Sequence, residues 1–397
     1  MSNRQKSKHI AVLVQNLRNG GAERMAANLS LALEADYKVT MIVFDAAGAI
    51  YPCCKDLIDL KVPPLTEGSS VRRIFNTLQR VRKLRYLKRK LSIDTTISHM
   101  DGANLVNLLS GMNDRKITVY HSMPSMESGT GFVHKCFHRL IGAGSYRYLT
   151  VSKPAQKDMQ DNFGVSKEKV QCLYNFVDLK KARERMGEAL DLKVQAFFDT
   201  HKKIIVHAGR LIPLKAQCRL IRVLAEIRKE GHNAGLVILG EGEERQKLAE
   251  CAKEYGVTEH VYMPGEIKNP FAYFKRSHVF VLCSEYEGLP MVLIEALACG
   301  CPVVSVDMTS GAREILAPDT GVTKKATGME YAKYGILTPQ YTGEGIAEKN
   351  EQLLKQAVSE MLYEDRIRSR YLQSCAEGAE RFSKDTILEQ WRELIEE

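Results

Sequence analysis

Short β-rich apolar runs alternate with longer amphipathic helical segments along this chain, and the alternation comes in two series. Lys8–Leu33 (KHIAVLVQNLRNGGAERMAANLSLAL) reads as strand, glycine turn, helix. Lys202–Ile227 (KKIIVHAGRLIPLKAQCRLIRVLAEI) repeats that order. Further strands are expected at 38–44, 95–98, 117–120, 148–152 and 170–174, then at 235–239, 261–263, 279–283, 302–306 and 335–337. Alternation of this kind predicts parallel sheets covered by helices on both faces. The polar helical stretch 178–201 lies between the series. The pattern therefore predicts an α/β protein of two doubly wound, Rossmann-like domains, 1–195 and 196–379, facing across a cleft. Ligands of such sheets bind beyond the carboxyl ends of the strands.

The length of 397 residues agrees with two domains. With 44% hydrophobic and 26% charged residues the composition is that of an ordinary globular protein. No apolar run has the roughly 18 residues of a membrane span. The apolar run after the basic N-terminus is too short for a secretory signal core and reads as a first strand. Ten cysteines show neither a CxxC pair nor metal-site spacing, so they are expected to be reduced core residues, with no metal site.

Charge is unevenly placed within the net +9. The segment 71–91, VRRIFNTLQRVRKLRYLKRKL, holds nine Lys or Arg and no acid. Val71, Ile74, Phe75, Leu78, Val81, Leu84 and Leu91 recur in it at helical intervals. Two readings fit: a solvated helix packed on a sheet, or a surface helix drawn to anionic lipid or a polyanionic acceptor. No nucleic-acid motif accompanies the patch.

The stretch SEYEGLPMVLIEALACGCPVVSVD at 284–307 carries two acids whose placement is unusual. Glu287 lies in a loop after a strand, and Glu295 lies inside the helix that follows, with Pro290 suited to its first position. Amides near 289–292 favour an anion at the helix start, and Glu295 could accept hydrogen bonds from a sugar diol behind it. A capping or surface role is the alternative for either acid. Arg210 and Lys215 fall in the first strand-to-helix loop of the second series, where two cations suit a diphosphate. Gly20 and Gly21 form the corresponding turn of the first series and would let a phosphate or sugar approach the backbone. Neither GxGxxG nor a Walker sequence occurs.

Taken in order, GGAER (20–24), GR…K (209–215), GEGEER (240–245), PGEIKNP (264–270), EGLPMVLIEALACGCPVV (287–304) and SGAREIL (310–316) resemble the family-4 retaining glycosyltransferases of the GT-B fold. Their signature of two Glu residues separated by seven is met by Glu287 and Glu295. The resemblance is strong over 203–316 and looser over 35–170. It implies that Glu295 holds the ribose of a sugar nucleotide and that Glu287 lies beside the donor sugar. Arg210 and Lys215 would neutralise the diphosphate in place of a metal, helped by amides at Gly288, Leu289 and Pro290's helix, while Ile267 contacts the base. It further implies same-face attack with retention, needing no covalent nucleophile.

His121, just after a strand in TVYHSMPS, matches the family's donor-sugar histidine, and His99 is its competitor one strand earlier. Asn175 matches a junction motif, Glu23 and Arg24 are expected to position the glycine turn, and the terminal helix 380–397, anchored by Trp391, is expected to pack back on the first domain. Two departures stand out: Ala216 follows Lys215 where the family has Gly, and SGAREIL lacks a proline after its glycine.

Together these readings predict a cytoplasmic enzyme, peripheral on the inner face of the plasma membrane. It would move a hexosyl or N-acetylhexosaminyl group from a nucleotide sugar, expected to be UDP-linked, without metal or other cofactor. The sugar would pass in α linkage to a glycan or polyprenyl-linked acceptor in surface-polysaccharide or cell-wall assembly. A UDP-sugar epimerase of the same shape, or a silent glycan- or membrane-binding scaffold, are the alternatives.

Overall fold

The computed structural model describes residues 8–18, 20–64, 70–128, 130–341 and 347–397. The chain divides into two units, Met1–Asn175 with Ile387–Glu397, and Phe176–Thr386. The division thus falls after Asn175, where the sequence pattern placed it after residue 195.

The first unit is built on a seven-stranded sheet of β1 (His9–Val14), β2 (Lys38–Val43), β3 (Asp56–Asp59), β4 (Thr95–His99), β5 (Arg115–Tyr120), β6 (Arg147–Thr150) and β7 (Val170–Cys172). Its order is β3-β2-β1-β4-β5-β6-β7, and every pairing is parallel. All six residues of β1 are buried, as a central parallel strand covered on both faces requires. The edge strand β3 was not foreseen: it has four residues, none of them fully buried.

The second unit repeats the plan with β8 (Lys203–Ala208), β9 (Ala234–Leu239), β10 (Val261–Gly265), β11 (Val279–Leu282), β12 (Val303–Val306), β13 (Glu330–Tyr331) and β14 (Ile336–Thr338). The order is β10-β9-β8-β11-β12-β14-β13, parallel except for the antiparallel β13–β14 pair. One face of this sheet carries a large apolar core, running from Ile205 and Leu236 to Val304 and Met361.

The chain leaves and re-enters the first unit through adjacent segments. The Val177 amide donates to the Phe382 carbonyl and the Lys384 amide to that of Val177. The terminal helix Lys384–Glu396 buries Trp391. Its last carbonyls are taken by cations of the first unit: Lys8 donates to Ile395 at 2.7 Å, and Arg115 donates to Ile395 and Leu394. Positive charge at a helix carboxyl end is the favourable sign.

Two sequence expectations need correction here. Cys218 and Cys251 are joined by a disulfide between the helices Cys218–Lys229 and Arg245–Glu254, with Cα atoms 6.4 Å apart. Their separation of 33 residues gave no signal, because helix packing rather than local spacing brings them together. The other correction concerns the basic helix, Ser70–Leu91. Val81 and Leu84 are buried as the periodicity requires, but Val71, Ile74, Phe75 and Leu78 are exposed. Instead, two cations turn inward. Arg80 donates to the carbonyls of Val62 and Pro63, and Lys88, 2% exposed, pairs with Asp114 and Asn107 at 2.7 Å each. Burial pushes the Lys88 ammonium down to about 8.

Candidate functional site

In the second sheet the strand order reverses between β8 and β11, so the loops after these strands flank the position where doubly wound sheets take ligands. The loop after β8 carries Arg210 and Lys215. It is shaped by close backbone packing against the loop after β9. The Gly209 amide donates to Leu239 and the Leu211 amide to Glu241. Gly240 and Gly242, both at positive φ, have no room for a Cβ, which would lie 2.0 Å from the Gly209 carbonyl oxygen and 2.2 Å from that of Leu211. This close approach is what the GEGEER motif encodes. Ala216, which stands where the resemblance expects a glycine, sits at φ 52°, in the left-handed region that favours glycine.

Lys215 forms an ion pair with Glu287, which stands in the loop after β11. Ser284 donates to the same Glu287 oxygen at 2.9 Å. Around them the Glu285 amide donates to the Leu214 carbonyl, and the Cys283 thiol lies 3.2 Å from that of Lys215. The two loops are thereby fastened across the switch point. Arg210 differs: it is exposed, and its guanidinium has no hydrogen-bond or ion-pair partner among the described residues. Beneath them His207 is fully buried and donates from Nδ1 to the Val281 carbonyl at 2.9 Å. Burial, reinforced by Lys215, lowers it to about 4.

The helix Met291–Ala298 begins one residue later than expected, with Pro290 as its N-cap. Glu295 is its fifth residue and only 6% exposed. Gly288, Leu289 and Pro290 are held from behind by the loop 308–311. Ser310 donates to the Gly288 carbonyl at 2.8 Å, and a Cβ on Gly311 would lie 2.3 Å from Pro290 Cδ. Ile267, half-buried, follows β10 at the same edge of the sheet. Sequence reasoning found these residues but missed Ser284, Ser310 and His207. Ser284 opens the very stretch that carries Glu287, and its place just after a strand was the available signal.

The first unit has its own set. β1, β4 and β5 are neighbours, and Gly20–Gly21, His99 and His121 stand at or just beyond their carboxyl ends. The Glu23 carboxylate folds back over Gly20, whose Cβ would meet it at 1.9 Å, whereas Gly21 faces open space. His99 and His121, weighed as competitors, touch: Nδ1 of His99 lies 2.9 Å from Nε2 of His121. Met100, next to His99, adopts φ 72°, a strained conformation of the kind found at functional sites. Asp101 follows, its carboxyl pushed up to about 6 by burial and approached by the Tyr120 hydroxyl at 3.3 Å. Among the described residues no cluster of three His, Cys, Asp or Glu could hold a metal ion.

Each half of this arrangement matches a known family model, Glycosyltransferase Family 4 over residues 19–181 and Glycosyl transferases group 1 over 190–371. An uncharacterized glycosyltransferase of Methanocaldococcus jannaschii is 30% identical over 81% of this chain and 84% of its own. The chain belongs to the family-4 glycosyltransferases. A second relative of this glycosyltransferase, from Campylobacter jejuni, is 28% identical over 95% of this chain and 96% of its own. It is named N-acetylgalactosamine-N,N'-diacetylbacillosaminyl-diphospho-undecaprenol 4-alpha-N-acetylgalactosaminyltransferase. Among solved structures, a glycosyltransferase of Rickettsia africae superposes with a TM-score of 0.74 at 12% identity, covering 98% of both chains. HepE of Anabaena, solved with UDP, gives 0.71 at 16% identity over 98% of this chain and 99% of its own. These likenesses establish the GT-B fold.

Proposed function

We propose that this glycosyltransferase moves a hexosyl or N-acetylhexosaminyl group from a UDP-sugar, with retention, in α linkage onto a lipid-linked glycan used in surface-polysaccharide assembly. The observation that carries the reading is the switch-point constellation: an exposed Arg210, without a partner among the described residues, in the same loop as Lys215, whose pair with Glu287 joins two loops. A diphosphate leaving group gains charge in the transition state, and preorganised cations stabilise that charge more strongly than they stabilise the ground state. In this reading Arg210 and Lys215 act on the diphosphate without a metal. Glu287 orients Lys215 and meets the donor sugar, Glu295 takes the ribose, and Ile267 lies against the base. Gly20, Gly21 and His121 of the first unit serve the sugar. No covalent nucleophile is needed.

The UDP-bound HepE supports the choice of base, and the name of the Campylobacter relative supports an α linkage and a polyprenyl-diphosphate acceptor. An anionic membrane surface fits the exposed Val71, Ile74, Phe75 and Leu78 on the basic helix. Met126, Phe132 and Val133, also exposed, follow β5 as that helix follows β3, both leaving carboxyl ends of the same sheet. The attachment in this reading is peripheral, on the cytoplasmic face; among the described residues no helix is long and apolar enough to cross a membrane.

The test is transfer from UDP-GalNAc and UDP-GlcNAc to an undecaprenyl-diphosphate oligosaccharide in EDTA, with the product's anomeric configuration read by NMR. An α-linked product formed in EDTA supports the proposal. A β-linked product, or transfer that requires added metal, contradicts it. A new UDP-sugar epimer made without acceptor would establish the epimerase alternative.

A further inference from the structure

His99 is the last residue of β4 and His121 follows its neighbour β5. Their rings stack with centroids 5.2 Å apart and planes inclined by 27°, and one hydrogen bond joins Nδ1 of His99 to Nε2 of His121 at 2.9 Å. Burial lowers His99 well below the ordinary histidine range and His121 to about 4, so both rings are neutral at pH 7. Two neutral imidazoles in one hydrogen bond have coupled tautomers. If His99 donates from Nδ1, both rings carry their proton on Nδ1. If His121 donates from Nε2, both carry it on Nε2.

The far nitrogen of His99 separates these cases. His99 Nε2 is buried and has no partner among the described residues. The second arrangement would place an N–H there, and orphaned buried N–H groups are rarer in folded proteins than unmet acceptors. His207 shows which arrangement this protein tolerates. Its Nδ1 faces the Val281 carbonyl and must carry the proton, so its own buried Nε2, without a partner among the described residues, is a bare lone pair.

We propose that His99 donates its Nδ1 proton to Nε2 of His121 and thereby fixes His121 as an Nδ1–H donor. The consequence for catalysis rests on the reading of His121 as a donor-sugar residue. His121 presents a neutral N–H to a sugar hydroxyl oxygen, and its only lone pair is already occupied. It therefore cannot accept the proton of the attacking hydroxyl, which must leave by another group. His99 acts through His121 and is a positioning residue.

The experiment is long-range 1H–15N correlation on the full chain labelled at histidine, with His121 assigned by the loss of its signals in His121→Asn. The expected result in the free protein is a protonated Nδ1 and an unprotonated Nε2 on His121. A protonated Nε2 overturns the proposal. In His99→Leu the His121 signals should move toward a mixture of tautomers, and the KM for UDP-sugar should rise roughly tenfold, the worth of one hydrogen bond of about 1.4 kcal/mol. His99→Asn, whose amide N–H lies near the position of Nδ1, should restore both readouts, and His99→Gln should restore neither. Rescue by Gln rather than Asn contradicts the assignment. An Nδ1–H tautomer in a protein that binds no UDP-sugar would support the proton assignment while removing the donor reading.

Discussion

At the carboxyl edge of the second sheet an ammonium and a carboxylate face each other, Lys215 and Glu287; at that of the first, two neutral imidazoles do, His99 and His121. Both sites sit where their sheets' topology puts ligands, yet their electrostatics are opposite in kind. Charged groups at the second edge suit a diphosphate, whose charge grows as the glycosidic bond breaks. Neutral hydrogen-bonding groups at the first suit hydroxyls, which carry no net charge and would gain little from a buried ion at large desolvation cost. One fold used twice differs here in which polar groups stand at the strand ends.

The largest effect should come from the charged site. Lys215→Met removes a cation and leaves Glu287 without its ion pair, and the transfer kcat should fall roughly 100- to 1,000-fold. His121→Asn, which keeps an N–H near the Nδ1 position, should lose about tenfold or less. A larger loss for His121→Asn than for Lys215→Met would break the comparison. Arg210→Ala comes next. UDP affinity should fall about 10- to 100-fold in calorimetry, as loss of a charge-assisted hydrogen bond implies. The unfolding temperature of the free protein should stay unchanged, because the exposed guanidinium has no partner in the described residues.

A pH measurement separates the sites differently. His207 has its pKa depressed to about 4 in the fold against 6.5 unfolded. The unfolded chain therefore binds the proton first, and stability is lost as pH falls from about 6.5 to about 4. The slope is about 1.4 kcal/mol per pH unit for this one group. His207→Phe should flatten the curve of unfolding free energy against pH, read from urea titrations, by that amount across the window, whatever it does to the stability itself. An unchanged slope would mean that His207 is not held neutral beneath the loop after β8. The smallest expected effect is a gain. Ala216 occupies the left-handed region, so Ala216→Gly should raise stability by about 0.5–1 kcal/mol in chemical denaturation.

Much of this was legible beforehand, and the physical reason is periodicity. Continuous apolar runs such as IAVLV and LVIL announce parallel strands, and glycine turns follow β1 and β9 at the expected places. The short edge strand Asp56–Asp59 was not legible, since a half-covered strand lacks the buried run that marks its neighbours. Glu287, Arg210 and Lys215 stood out as charges in loops just after apolar strands, and Glu295 as a charge inside an apolar helix. The Lys215–Glu287 pair itself did not, for it joins loops 72 residues apart. Nor did the hydrogen bond between His99 and His121, which exists because β4 and β5 are neighbours in register. The inward turn of Arg80 and Lys88 was hidden for a similar reason: helical spacing marks apolar positions, and the carbonyls and Asp114 that receive these cations lie elsewhere in the chain.

The most direct test of the central claim is thermal unfolding with UDP, GDP or ADP, each in EDTA, on the wild type and on Arg210→Ala. At about 100 times its dissociation constant a ligand stabilises the bound form by roughly 2.7 kcal/mol, a shift of a few degrees. The account predicts a shift with UDP alone, in the presence of EDTA, that is lost or much reduced in Arg210→Ala at the same concentration. An equal shift in the two proteins, or none with any nucleotide at millimolar concentration, would contradict diphosphate binding by Arg210 and Lys215.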